Sequence, residues 1–70
     1  MATDIEKIRR EIVRVQVNEF EGRRLLDIRV YFPGEDGEMR PTGKGVAIAL
    51  DKAEDLAAAI LGEVARGAAA

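Results

Sequence analysis

An α+β fold, a four-stranded antiparallel sheet followed by one C-terminal helix, is predicted by three features of this 70-residue chain. Leu26, Ile28, Val30 and Phe32 recur at every second position, and Val46, Ile48 and Leu50 do so again, the period of half-buried strands. Upstream, Val13, Val15 and Val17 alternate with Arg14, Gln16 and Asn18 in the same way. After Leu50 the period lengthens: Ala53, Leu56, Ala57, Ile60, Leu61 and Val64 fall on one helical stripe, with Glu54, Asp55 and Glu63 turned to water.

Taken in order, residues 1–10 read as an N-terminal arm or a short helix. Thr3-Asp4-Ile5-Glu6 has capping-box spacing, and Ile5, Ile8 and Ile12 follow at helical intervals, although one isolated turn is unstable in water. Residues 11–50 read as the sheet. The first strand starts at Glu11 and reaches Phe20, which is out of phase with the valines. A regular strand leaves that ring on the polar face, whereas a bulge or the turn at Glu21-Gly22 returns it to the core. The second strand runs from Arg23 to Phe32 and ends at the turn Pro33-Gly34-Glu35-Asp36-Gly37. Glu38 to Thr42 reads as a short strand that Pro41 confines to an edge or a strand end. Gly43-Lys44-Gly45 reads as a tight bend, and Val46 to Leu50 closes the sheet. Residues 51–66 form the expected helix, capped by Asp51 with Glu54 as its box partner and lying over the sheet; residues 67–70 are an expected frayed tail. The whole is read as a single domain, 1–70.

A chain this short gains only a few kcal/mol from one core, and with no cysteine and no histidine it has neither disulfides nor the usual zinc frameworks to add. A homodimer is therefore expected. The net charge of -2 gives no bulk basic field. Residues 1–50 carry nine bases against nine acids and residues 51–70 two against four, so the acid excess lies in the C-terminal segment. No apolar run is long enough to span a bilayer and the first residues lack a secretion pattern, so no membrane partner and a cytoplasmic location are expected.

Enzymatic chemistry is argued against by what is missing. Without His, Cys or Ser the familiar nucleophile and base pairs of acyl transfer cannot be assembled. Glu35, Asp36 and Glu38 sit on a solvated turn, Gly37 to Gly45 lacks the Lys-Ser/Thr ending and the spacing of a phosphate loop, and the acidic turn does not fit a calcium loop. No catalytic residue, metal or cofactor is expected.

Binding remains. Arg14, Phe20, Arg23, Arg29, Tyr31 or Phe32, Arg40 and Lys44 interleave rings with cations, as unpaired nucleic acid requires: rings stack on bases at about 1–3 kcal/mol each and cations track phosphates. A plainer account is open for each. Phe32 shares the core parity of Ile28, Tyr31 suits an interface, and arginines on a wet strand face are commonly only solvated. Composition alone favours the plainer account.

The segment Asp27-Ile28-Arg29-Val30-Tyr31-Phe32, followed by Gly37-Glu38-Met39-Arg40-Pro41-Thr42-Gly43-Lys44-Gly45-Val46, resembles the signature of the positive-cofactor-four family of transcriptional coactivators. Phe20-Glu21-Gly22-Arg23 stands where that family reads Phe-Lys-Gly-Lys, and the likeness runs from about residue 12 to 65. The resemblance implies a curved four-stranded sheet with a C-terminal helix, paired as a side-by-side homodimer through helices and sheet edges. It implies binding of single-stranded DNA, or of strands from melted duplex, with little sequence preference, in transcription, replication or repair. By position, Phe20 and Phe32 become stacking rings, Arg29 and Lys44 phosphate or base-edge contacts, and Arg23 and Arg40 supporting cations; Arg14 completes the expected DNA-binding set. Gly43 and Gly45 are expected to let the backbone pass close to the bound strand.

The chain also departs from the family pattern. Glu21 replaces a lysine, Gly43 an arginine and Phe32 a tryptophan; Val30 replaces a polar residue, and Glu11 and Val13 stand where cations are common. Weaker affinity and weaker salt dependence than in a typical member are expected. A protein-interaction module on the same scaffold, with a weakened nucleic-acid face, is the alternative, and a single-stranded-RNA binder is a variant of the first reading. Contact with the transcription machinery is a further expected partnership. The lack of a serine-rich tail and the alanine and arginine bias point to a bacterial or phage, nucleoid-associated protein; a eukaryotic member would be nuclear.

Overall fold

The computed structural model describes residues 2–69, with side chains described through residue 68. Four strands, β1 (Ala2–Glu6), β2 (Ile12–Phe20), β3 (Arg23–Pro33) and β4 (Met39–Ala49), lie in the order β1-β2-β3-β4, each antiparallel to the next. A short 3-10 turn, Leu50–Lys52, leads into α1 (Ala53–Ala69). An open antiparallel sheet with one C-terminal helix is thus the architecture that the alternation predicted.

The strands are allotted differently. Residues 2–6 are neither a helix nor a free arm: Thr3 pairs with Val15 and Ile5 with Val13 along the outer edge of β2. An edge offers a ready row of unpaired N–H and C=O groups, whereas one helical turn satisfies almost none of its own. The intervening loop is closed by Lys7 N–H donating to the Glu11 carbonyl (2.9 Å) and Glu11 N–H donating to the Ile8 carbonyl (3.0 Å). At the other edge, the two strands expected on either side of Gly43-Lys44-Gly45 are one strand, β4. Gly45 pairs with Arg29 and Pro41 with Tyr31, so Thr42, Gly43 and Lys44 together stand opposite Val30. Thr42 carries this irregularity. Its hydroxyl donates to the Val30 carbonyl (2.8 Å) and accepts from the Lys44 N–H (3.1 Å), replacing ladder bonds that the extra residues interrupt. Pro41 lies on the outermost strand, where a missing N–H is tolerated.

The pairing of β2 with β3 is regular from Ile12–Tyr31 to Phe20–Arg23. Glu21 (φ 52°) and Gly22 (φ 79°) close it as a two-residue turn with both φ values positive, the type I′ geometry that matches strand twist. No bulge intervenes, so Phe20 keeps the phase of Arg14, Gln16 and Asn18.

Alternation gathers Val13, Val15, Val17, Leu26, Ile28 and Ile48 on one side of the sheet. The helix was expected to cover that side, and it does not. It packs chiefly against the 3-10 turn that introduces it, and Ile60, Leu61 and Val64 are 49%, 69% and 61% exposed. The turn also takes up Asp51, the expected cap, so α1 starts at Ala53; it runs through Gly67, where fraying was expected, to Ala69. Met1 of the expected arm and Ala70 of the expected tail lie outside the described residues.

Among the described residues no apolar side chain is buried, and Asp27, at 5% exposure, is the buried charged one. The accessible surface is 5713 Å², against about 4,300 Å² for a compact monomer of this mass. The radius of gyration is 13.9 Å, against about 11 Å for a compact domain of this length.

Candidate nucleic-acid interface

At the closed end of the β2–β3 hairpin, Phe20 and Arg23 are direct cross-strand partners. Phe20 is 52% exposed and Arg23 is exposed beside it. A ring and a guanidinium side by side at a hairpin tip form a small platform on which a planar base can stack while the cation meets a phosphate. Glu21, in the turn itself, places a carboxylate at the same tip.

The centre of the polar side is already engaged. Arg14 donates from Nε to Asp4 Oδ1 (2.7 Å) and from Nη2 to Oδ2 (3.1 Å), a forked pair joining β2 to β1. That hydrogen bond, helped by the guanidinium charge, holds the Asp4 carboxyl below its ordinary value and raises Arg14 further. The Arg14 guanidinium also lies 4.4 Å from the Tyr31 ring centroid, and Gln16 Nε2 donates to the Tyr31 hydroxyl (3.1 Å). Next to it, Arg29 donates to Asp27 (3.0 Å from Nη2 to Oδ1) and to the Thr42 carbonyl (3.0 Å). Arg29 thereby satisfies a buried carboxylate and the irregular stretch of β4 together.

At the opposite end, Phe32 is 40% exposed and pairs with Arg40 across β3 and β4. The Arg40 guanidinium is held by Asp36 (2.7 Å), which also caps the Glu38 N–H (3.0 Å). Lys44 is exposed, in the stretch of β4 opposite Val30, and makes no ion pair among the described residues.

The seven expected residues therefore form three groups: Phe20 with Arg23, Arg14 with Arg29 and the neighbouring Lys44, and Phe32 with Arg40. One chain does not set the two rings together. Phe32 is on the strand parity of Val30, Arg23 on the other, and the rings are separated by about 30 Å of β3 at the usual rise per residue. Asp4, Asp27 and Thr42, which hold the cations, and Gln16, which holds Tyr31, were not among the expected site residues. Asp27 and Arg29, two apart and so on one strand face, were the legible signal. Of the two glycines expected to admit a bound strand, Gly45 serves the sheet: a Cβ there would lie 2.5 Å from the Ile28 carbonyl oxygen and 2.8 Å from the Arg29 Cα, whereas one at Gly43 would meet nothing within 4 Å.

Comparison with known proteins gives a consistent answer. The family model described as Transcriptional Coactivator p15 (PC4) matches residues 8–59. Among solved structures, the chain is similar to a PC4 homolog from Burkholderia pseudomallei, with a TM-score of 0.78 and 25% identity over 84% of this chain and 80% of that one. A second crystal form of that homolog gives 0.78 and 24% over 87% and 91%. The bacteriophage T5 homolog of the eukaryotic transcription coactivator PC4, implicated in recombination-dependent DNA replication, gives 0.78 and 23% over 96% and 78%.

Proposed function

The chain belongs to the PC4 family of transcriptional coactivators, and from that premise we propose that it is a non-enzymatic homodimer that binds single-stranded DNA with little sequence preference. It acts in transcription, replication or repair as a cytoplasmic, nucleoid-associated protein of bacterial or phage origin; no described helix is long and apolar enough to cross a membrane. The observation that carries this reading is the pairing of each exposed ring with an arginine, Phe20 with Arg23 and Phe32 with Arg40. Stacking supplies affinity without sequence preference, because every base has a π-face, and the cations supply the salt-dependent part. Arg23 and Lys44 meet phosphates directly. Arg40 does so after exchanging Asp36 for a phosphate, while Arg14 and Arg29 contribute through the groups they hold in place.

Dimerisation is supported by the uncovered surface. The excess over a compact monomer, on the order of 1,400 Å² per chain, is what one partner of an obligate dimer buries. The stripe of α1 and the part of the open side around Val17, Leu26 and Ile48, at the far end of β3 from Phe32, supply apolar area of the right kind, and a second copy brings together rings that one chain holds far apart and on opposite strand parities.

Titration of labelled oligo-dT at two salt concentrations tests the reading. Saturable binding that weakens with salt, and that falls in Phe20→Ala and Lys44→Ala with the dimer intact, is the expected result; absence of saturable binding at low salt overturns it. A second reading, a protein-interaction module, is favoured by the carboxylates on Arg14 and Arg29. Capture of a protein partner unaffected by Phe20→Ala and Lys44→Ala supports that reading. Matched RNA and DNA oligomers separate the two sugars.

A further inference from the structure

We propose that the β1–β2 loop, residues 7–11, is an additional phosphate-binding element, with Arg9 and Arg10 as its ligands for the backbone of a single-stranded nucleic acid. The inference rests on the nucleic-acid reading above and extends it to residues outside the expected set.

Three observations carry it. The first is conformational: among the described residues, the non-glycine positions with positive φ are Arg9 (55°), Arg10 (69°) and Glu21 (52°). A left-handed backbone costs an L-residue about 1–2 kcal/mol, and the chain uses glycine for it at Gly22 and Gly37. Two successive arginines therefore stand where glycine or asparagine would be less strained, and strained positions of this kind collect at binding sites. The second is electrostatic. Lys7 is held by Glu11 (3.3 Å) and Arg40 by Asp36 (2.7 Å), so Arg9 and Arg10 are the cations at this end of the sheet with no carboxylate partner among the described residues. Both are exposed, on a loop fixed by two backbone hydrogen bonds. The third is position. Ile12, which follows the loop, pairs with Tyr31, and Tyr31 with Pro41, so the loop opens beside the Phe32–Arg40 pair. Two neighbouring guanidinium forks suit phosphate oxygens, which accept bidentate hydrogen bonds.

The test uses the full chain with both arginines replaced, Arg9→Asn and Arg10→Asn. Asparagine tolerates the left-handed region, so the melting temperature should hold or rise. Oligo-dT affinity is measured across a salt series for the wild type, the double Asn variant, the double Lys variant and Phe20→Ala. The expected result is a log-affinity against log-salt slope shallower by about 1.4 in the Asn variant, two phosphates' worth on a single strand, and a slope retained in the Lys variant. An Asn variant with the wild-type slope, in a protein whose binding still falls in Phe20→Ala, overturns the loop's role alone. A wild type that does not bind oligo-dT overturns the underlying reading, and this inference with it.

Discussion

Gly45 lies directly opposite Arg29 with no room for a methyl group between the two strands: its Cβ would sit 2.8 Å from the Arg29 Cα. The contact brings β4 against β3 next to the irregular stretch, where Arg29 binds the Thr42 carbonyl. Gly45→Ala should therefore destabilise the fold by about 1–3 kcal/mol, because the obstacle is backbone and cannot swing aside. Gly43→Ala, which meets open space, is the matched control. Thermal unfolding of both at one protein concentration decides it; equal melting temperatures would show that β4 is free to shift.

The same open space makes Gly43 the place to restore charge. Gly43→Arg sets a guanidinium next to Lys44 with no steric cost, and oligo-dT binding should tighten, with its salt slope steeper by about 0.7. A salt series on this variant and the wild type gives the answer, and an unchanged slope would remove this stretch of β4 from the path of the strand.

Glu21 is the wrong residue for its turn on two counts, one conformational and one electrostatic. Type I′ turns favour Asn-Gly, so Glu21→Asn should stabilise the hairpin by about 0.5–1 kcal/mol. It also removes a carboxylate next to Phe20 and Arg23, so affinity for oligo-dT should rise at low salt and converge with the wild type at high salt. Melting and titration of one variant check both effects.

The Asp4–Arg14 pair gives the N-terminal strand a pH dependence. The folded-state pKa of Asp4 lies below its ordinary value because the carboxylate accepts hydrogen bonds from Arg14. Its contribution is therefore present above the ordinary carboxylate value and is lost as pH falls through the lowered folded value. Wild type should melt above Asp4→Asn at neutral pH, and the gap should close on acidification. A gap that persists in acid would mean that the pair acts through something other than charge.

The strands β2 and β3 were legible because valine, leucine and isoleucine alternate without interruption and the Glu21-Gly22 turn keeps them in step. The first strand was not. Ala2 to Glu6 owes its strand state to the edge of β2, a partner that local propensity does not contain, and Thr3-Asp4-Ile5-Glu6 imitates a helix start. Gly43-Lys44-Gly45 imitates a turn because glycine is read as freedom, while at Gly45 it is close approach to β3. The stripe on α1 was visible, but the sheet does not cover it, and Ile60, Leu61 and Val64 stay exposed. For the interface, valine spacing put Phe20 out of phase but left a bulge open, and the regular pairing up to Phe20–Arg23 is what decides it. That Arg14 is already bound to a carboxylate needed the register, since Asp4 reaches it only once β1 is a strand, whereas Asp27 beside Arg29 follows from spacing on one strand face.

Pro41 interrupts the outermost strand at a position whose nitrogen has no hydrogen to give, and at the far edge Glu6 is an exposed charge beside the Asp4 carboxylate that Arg14 holds. An open sheet with so much bare aliphatic surface invites lateral growth into filaments, strand added to strand. Here each margin carries a feature that discourages the addition of a further strand.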